Sequence, residues 1–163
     1  MTEQTIDELR TIHIREVTEK IEIPETASEW DNWGEYAAEA KQMELRRWVI
    51  ELHTDADVVA VGDLSSHWTW YGPSPGSRSA NIGISLSLPY RGLGIGGVAQ
   101  RLLAEQLHAE GCVRVEASTD VQNIPEQRAL AKAGFVFEGV IRGAQMRADG
   151  RHDLQGWSHL PGD

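Results

Sequence analysis

The residues best placed to do chemistry crowd into one short run. Gly92, Gly94, Gly96 and Gly97 fall within six positions, and Arg91 stands immediately before them. Residues 80–88 alternate apolar and small polar side chains and read as a strand. Ile95, Val98, Leu102, Leu103 and Leu107 follow the i, i+3, i+4 spacing of one helical face, so residues 95–110 read as a helix. A strand therefore feeds a glycine turn, and the turn opens a helix. The first N–H groups of a helix have no internal partner and carry the positive end of its dipole. Glycines lack the Cβ atoms that would hold an anion off, and Arg91 adds a full charge. The stretch reads as a cradle for phosphate or pyrophosphate. The plain alternative is an ordinary glycine-rich turn.

Three kinds of cradle use such a turn. A nucleotide P-loop needs a Lys-Ser/Thr pair after its last glycine; Val98-Ala99 follows Gly97, so that reading fails. A dinucleotide-binding turn needs G-x-G-x-x-G, which Gly92, Gly94 and Gly97 satisfy, and Glu116 on the next strand suits its ribose-binding acid. That turn leaves its strand almost directly, however, and here Leu88-Pro89-Tyr90-Arg91 intervene. It also wants several βα units, and a single helix pattern follows this one. The third cradle is R-x-x-G-x-G, met by Arg91, Gly94 and Gly96.

Residues 11–18 alternate and predict a first strand. Residues 24–45 begin at Pro24 and predict one or two short helices with a break at Gly34. Trp30 and Trp33 lie on one face of that stretch and suit either core packing or the wall of an acceptor pocket. Residues 46–54 and 57–71 predict two strands joined by a short polar turn, and residues 72–77 are a further turn before the strand at 80–88. Gly111 ends the helix of the glycine loop. Residues 113–119 predict a strand, 125–133 a helix between Asn123 and Gly134, and 135–142 with 152–160 a last hairpin. The order is β-α-(α)-β-β-β-α-β-α-β-β, without repeats or linkers.

A chain of 163 residues suits a single domain over residues 1–163. No run approaches the ~18 apolar residues of a membrane span, and the polar start MTEQTIDELR is not a signal peptide. A cytoplasmic location without a membrane partner is expected. The single cysteine, Cys112, excludes an internal disulfide and a multi-cysteine metal site, and the six histidines lack paired ligand spacing, so no metal is expected. A net charge of −10 argues against nucleic acid and suits a cationic acceptor such as an amine.

The R-x-x-G-x-G loop and the element order together resemble the GNAT acetyltransferase superfamily across the chain. The second half, IGISLSLPYRGLGIGG, then TDVQNIPEQRALAKAGFVFEGVIRG, then RHDLQGWSHL, is similar to the ribosomal-protein N-terminal acetyltransferase branch. There a strand ends near an Asn, a helix follows, and K-x-G-F-x-x-E-G leads into a hairpin; the matching positions are Asn123, Lys132, Gly134, Phe135, Glu138 and Gly139. The resemblance implies an α/β (α+β) fold: a mixed, mostly antiparallel sheet of six to seven strands with helices on both faces. It implies N-acetyl transfer from acetyl-CoA to a primary amine, by a monomer or homodimer. A protein or peptide N-terminus is the first acceptor, a small-molecule amine such as an antibiotic or polyamine the second, and a non-catalytic acyl-CoA-binding domain is the alternative. By the same resemblance, backbone groups of Ile84, Ser85 and Leu86 pair with the pantetheine arm, and one N–H holds the acetyl oxygen. Gly92, Leu93, Gly94, Ile95, Gly96 and Gly97 hold the pyrophosphate with Arg91 beside them. Asn123 bonds the pantetheine arm, caps the helix after it, or does both.

The resemblance breaks at the catalytic positions. Ser118 stands where related enzymes often carry a glutamate base, and Leu130 where many carry a tyrosine acid. Glu126 stands where others carry a serine able to protonate the thiolate. Ser118, Glu126 and Glu116, two residues from Ser118 on the same strand face, are the catalytic candidates. Positioning the two substrates together is expected to supply much of the rate without one indispensable base.

Overall fold

The computed structural model describes residues 2–7, 10–36 and 44–163, with 2–7 described by their backbone alone. Its elements are β1 (Thr2–Asp7), β2 (Arg10–Val17), β3 (Arg46–Thr54), β4 (Val58–Trp70), β5 (Arg78–Leu86), α1 (Ile95–Ala109), β6 (Val115–Asp120), α2 (Ile124–Lys132), β7 (Val136–Arg147) and β8 (Gly150–His159). They form one eight-stranded sheet in the order β1-β2-β3-β4-β5-β6-β8-β7. Every neighbouring pair is antiparallel except β5 and β6. This is the mixed α/β architecture expected from the sequence, with one more strand than the larger expected count. The addition is β1, an edge strand whose residues TEQTID carry almost no apolar signal.

The helices expected at 24–45 differ. Residues 24–36 hold only short 3-10 turns, one of them at Glu29–Asp31. Glu25 (φ 58°) and Gly34 (φ 57°) adopt left-handed backbone conformations that a continuous helix cannot accommodate. Residues 37–43 lie outside the described residues. Both described α-helices feed the same core cluster, and on the opposite face it is the irregular segment after β2 that lies near the sheet.

The core follows from side-chain periodicity. Alternate residues of the strands point the same way, so Ile12 and Ile14, Trp48 and Ile50, Ala80 and Ile82, and Val115 and Ala117 all turn to one face. Against them α1 sets Ile95, Ala99, Leu102, Leu103 and Leu107, and Leu130, Ala133 and Phe135 complete the cluster from α2 and its end. Each fully buried Leu or Ile contributes about 1.5–3 kcal/mol relative to exposure. This burial holds α1 across the sheet and thereby fixes the glycine loop at its N-terminus.

One irregularity shapes the same end of the molecule. Ile50 pairs with Gly62 and Glu51 with Ala60, leaving Val61 as an extra residue in β4. Gly62 then lies hard against β5: a Cβ there would sit 2.4 Å from the Ser85 carbonyl oxygen and 2.8 Å from Leu86 Cδ2. Gly62→Ala is expected to cost about 1–3 kcal/mol through overpacking, read as a lower urea midpoint with an unchanged m-value. Gly76→Ala, whose Cβ would meet nothing nearer than 3.9 Å, is the control and should leave the midpoint in place.

Candidate functional site

The parallel strands β5 and β6 pair only at their beginnings, Ala80 with Val115, Asn81 with Glu116 and Ile82 with Ala117. Beyond Ile82 they part, β5 continuing beside β4 and β6 beside β8. The direction of each backbone group follows from two hydrogen bonds. Ala80 N–H donates to the Arg114 carbonyl at 3.0 Å, so even-numbered residues of β5 face β6. Ser87 N–H donates to the Val61 carbonyl at 2.8 Å, so odd-numbered residues face β4. The N–H and C=O of Ile84 and the N–H of Leu86 therefore face the gap, while the Leu86 carbonyl accepts from Arg91 Nε at 3.0 Å. Ser85 turns its backbone toward Asp63 of β4 and offers the opening only its side chain.

The glycine loop closes the wide end of this gap. Gly92 (φ 74°) and Gly94 (φ 82°) are left-handed, which reserves both positions for glycine. Gly94 is the N-cap of α1 and offers no capping side chain; the first intrahelical bond is Val98 N–H to the Gly94 carbonyl at 3.3 Å. The N–H groups of Ile95, Gly96 and Gly97 thus emerge in a first turn that contains no acidic residue. Space above Gly92 and Gly94 is open, with nothing within 4 Å of an added Cβ. Gly96 and Gly97 differ from the sequence expectation that all four glycines make room for an anion. A Cβ at Gly96 would lie 3.5 Å from Leu86 Cδ1, and one at Gly97 3.3 Å from the Ala129 carbonyl. Their small size lets α1 approach β5 and α2. Arg91 is also committed: besides Leu86 it donates from Nη2 to the carbonyls of Ala27 (2.9 Å), Thr26 (3.3 Å) and Glu25 (3.4 Å). It buttresses the loop against residues 25–27 and keeps its charge at the loop's edge.

On the other side of the gap, β6 ends in a tightly bonded turn. Asp120, buried, accepts from Gln122 N–H at 2.8 Å and from the Arg147 guanidinium, and its carbonyl accepts from Asn123 N–H. Burial alone would push the Asp120 carboxyl up; the Gln122 N–H and Arg147 outweigh it and hold it below the ordinary range. Asn123 caps α2, its Oδ1 accepting from Glu126 N–H at 3.3 Å. The Glu126 carboxyl does not return the bond to the N-cap backbone, as a capping box would. It turns to Gln100 of α1, a buried side chain that also donates to the Gly96 carbonyl at 3.2 Å. Burial pushes the Glu126 carboxyl up to about 7, with the Gln100 bond pulling the other way. Gln100 was invisible as a site residue; its signal is a lone polar residue beside Ala99, Leu102 and Leu103 on the buried side of α1.

The three catalytic candidates are not brought together. Glu116 sits opposite Asn81, where β5 and β6 are still paired, and is saturated: Tyr71 Oη donates at 2.8 Å, Arg114 Nε at 3.3 Å and Asn81 Nδ2 at 3.4 Å. Arg114 also grips Glu138 through both terminal nitrogens. Ser118 is exposed and lies just past the last β5–β6 pair, whereas Glu126 lies against Gln100, whose amide also bonds the Gly96 carbonyl in the first turn of α1. Trp30 and Trp33 are half-buried on the segment that Arg91 holds at one end and that Ala148 N–H holds at the other, donating to the Asn32 carbonyl at 2.8 Å.

A cavity of about 740 Å³ lies elsewhere, at the C-terminal end of α1, lined by Arg46, Trp68, Arg78, Leu107 and Arg114. It is large but chemically spent. Arg46 is held by Glu16 and Glu110, Arg114 by Glu116 and Glu138, and Arg78 lies over the Trp68 ring at 3.9 Å. The chemistry available to a ligand is at the other end of α1. Among the described residues no helix is long and apolar enough to cross a membrane.

Comparison with known proteins bears on this geometry. No curated protein sequence matches the chain. Among solved structures it is similar to the ribosomal-protein-S5-alanine acetyltransferase of Vibrio fischeri, with 21% identity, a TM-score of 0.61 and coverage of 73% of this chain and 63% of that one. It is similar to RimJ of Mycobacterium smegmatis in complex with CoA-disulfide, with 24% identity, a TM-score of 0.61 and coverage of 76% and 56%. The microcin C7 self-immunity acetyltransferase MccE, in complex with acetyl-CoA and AMP, matches with 20% identity, a TM-score of 0.59 and coverage of 78% and 66%. The chain spans less than two thirds of the length of the Vibrio and Mycobacterium proteins, and at these identities the likeness is one of fold. Residues 2–136 match the acetyltransferase (GNAT) domain, and the chain belongs to that family.

Proposed function

We propose that this chain moves an acetyl group from acetyl-CoA to a primary amine, with the α-amine of a protein or peptide as the preferred acceptor. The observation that carries this is the parting of β5 and β6 directly before a glycine loop that opens α1. An edge of unpaired backbone groups suits the two amides of a pantetheine arm, and a helix start without a cap suits a pyrophosphate. Ile84 and Leu86 would pair with the arm, one of their N–H groups facing the thioester oxygen and stabilising the oxyanion as it forms. The N–H groups of residues 92–97 would hold the pyrophosphate. Asn123, its Oδ1 engaged in capping, has its amide nitrogen to offer the arm.

Nitrogen attack breaks the C–S bond and leaves a thiolate that needs a proton. Glu126 is the group we assign to that step. A carboxyl with its midpoint near neutrality still carries a proton where an ordinary glutamate does not, so it can act as a general acid. The acid form predominates below about 7 and is lost as the pH rises through that value. The acceptor amine changes in the opposite direction, gaining its reactive neutral form as the pH rises.

The reading is tested by thiol release with acetyl-CoA and a panel of amines: short peptides with free N-termini, polyamines and aminoglycosides. Release with the peptides is expected; release with the small amines alone would reassign the acceptor class. Acetyl-CoA at 100 times its Kd should stabilise the fold by about 2.7 kcal/mol, and NAD(H) should not. Stabilisation by NAD(H) instead would return the loop to the dinucleotide-binding reading. Glu126→Gln should lower kcat by ~100-fold or more below neutrality with CoA affinity intact, and should remove the alkaline limb of the kcat profile. A wild-type pH profile in that variant would remove Glu126 from the mechanism.

A further inference from the structure

Asp63 belongs to no motif, yet the fold sets it beside the reacting end of the cleft. It stands on β4 directly opposite Ser85, the residue between Ile84 and Leu86. Ala80 and Ile82 turn into the α1 core, so Asn81, Gly83 and Ser85 occupy the other face of the sheet, with His67, Ser65 and Asp63 as their cross-strand partners. Cross-strand side chains of this kind begin about 5 Å apart. An arm in the cleft would lie one further strand spacing beyond β5, so the Asp63 carboxylate would stand about 10 Å from the thioester on this face of the sheet. An acceptor seated above Ser85 would span that gap.

What distinguishes Asp63 is that it is unused. The neighbouring acids on this face are committed: Glu116 to Tyr71, Asn81 and Arg114, Asp120 to Gln122 N–H, Arg147 and His152, and Glu138 to Arg114 and Ser158. Among the described residues Asp63 accepts no hydrogen bond and forms no ion pair, although it is half-buried. Burial pushes its carboxyl up; Lys20 and Arg47 pull it back from a distance, and Asp31 adds to the rise. His67, further along β4 opposite Asn81, is held toward its neutral form by burial, with Glu116 opposing. A partly desolvated carboxylate without a partner costs stability. A protonated amine is the ligand that would satisfy it.

We propose that Asp63 receives the ammonium group of the acceptor, holds it beside Ser85 and takes up its proton as the nitrogen attacks. This rests on acetyl-CoA lying along β5. In the step, one N–H bond of the ammonium breaks and its proton passes to an Asp63 carboxylate oxygen. The freed pair forms the C–N bond, a second N–H proton is lost as the amide forms, the C–S bond breaks, and the thiolate takes a proton from Glu126. Solvent then carries off the proton on Asp63 and the second amine proton, and reprotonates Glu126. The balance is one ammonium and one thioester in, one amide, one thiol and one proton out. The site is a cation site for a primary amine, built from a side chain rather than from the backbone that holds the acetyl donor.

Asp63→Asn tests this, since it keeps the shape and removes the charge. The probes are coenzyme A, a short peptide with a free N-terminus, and the same peptide N-acetylated. Three results are expected together. The variant should bind coenzyme A within twofold of wild type by calorimetry, fall by at least ~100-fold in kcat/KM for the free peptide, and melt higher at neutral pH. The last sign follows because a carboxyl whose midpoint is raised by folding destabilises the fold once the pH exceeds its unfolded value, and Asn removes that charge. In the enzyme–CoA complex the wild type should also prefer the free peptide over the blocked one, and the variant should not. Asp63→Glu should recover part of the rate. Unchanged kinetics, or a lower melting temperature with unchanged kinetics, would overturn the proposal. Failure of the wild type to bind coenzyme A would overturn the underlying reading, and the isotherm separates that result from the others.

Discussion

The constraint on which the rest depends is the obligation of backbone N–H and C=O groups to find partners. In the interior of a sheet each strand satisfies its neighbours, and β5 and β6 do so for three residue pairs. Their separation then leaves polar groups of Ile84 and Leu86 without a strand beside them, in the middle of the sheet rather than at its edge. An edge strand can turn such groups to bulk water. A central one can do so only where the sheet is split to leave a slot, as it is beyond Ile82. The α1 crossover places its N-terminal N–H groups at the mouth of this slot, because α1 must pack Leu102, Leu103 and Leu107 across the same sheet. The slot and the uncapped helix start at its mouth are thus two consequences of one topology.

The side chains around the slot divide by whether their demands are met. Asp120 and Arg147 pair at 3% exposure each, a geometry in which removing one partner is costly because the other is left buried and charged. That pair fixes the turn from β6 to Asn123. Gly62, Gly96 and Gly97 let β4, β5, α1 and α2 approach one another. Glu126 and Asp63 belong to the second kind. Among the described residues neither has a charged partner in bonding distance, and each, withdrawn from water, is therefore less stable as a carboxylate than a surface acid would be. Groups held at such a disadvantage beside a slot are what a proton-transfer reaction uses.

Much of this was legible in the sequence and the remainder has identifiable reasons for being hidden. Strands β3 to β6 and helix α1 announce themselves through periodicity, and the glycine loop through composition. Asn123 announces itself by preceding Pro125 at a helix start. The helices expected at 24–45 rested on Pro24 as a helix start and on the spacing of Trp30 and Trp33; the break at Gly34 was legible, but the left-handed turn at Glu25, a non-glycine residue, was not. β1 carries a single apolar residue, Ile6, and has no pattern to read. Gly96 and Gly97 looked like ligand-facing glycines because composition cannot tell space kept for a ligand from space taken by Leu86 and Ala129. Arg91 looked free because its four carbonyl partners include three on a segment more than sixty residues earlier. Glu116 and Asp63 looked respectively available and irrelevant. Their roles depend on cross-strand partners, which register alone decides.

The charge distribution completes the argument. A formal net charge of −10 opposes the approach of coenzyme A, itself a polyanion, and favours that of an ammonium. The two substrates proposed here would therefore need different devices. At ~8 Å of screening length under physiological salt, the repulsion is a far-field effect, and what decides retention of the anion is the first few ångströms. There the protein supplies N–H groups from a helix start free of acidic residues, with Arg91 as a full charge held in place by carbonyls. Such contacts are short-ranged and directional, and they do not require a basic surface. For the proposed amine the order would reverse: the surface field gathers cations without discrimination, and Asp63 would supply the near contact. On the proposed reading, a chain this acidic would bind its anion through backbone dipoles at one end of α1, leaving its surface charge free to serve the other substrate.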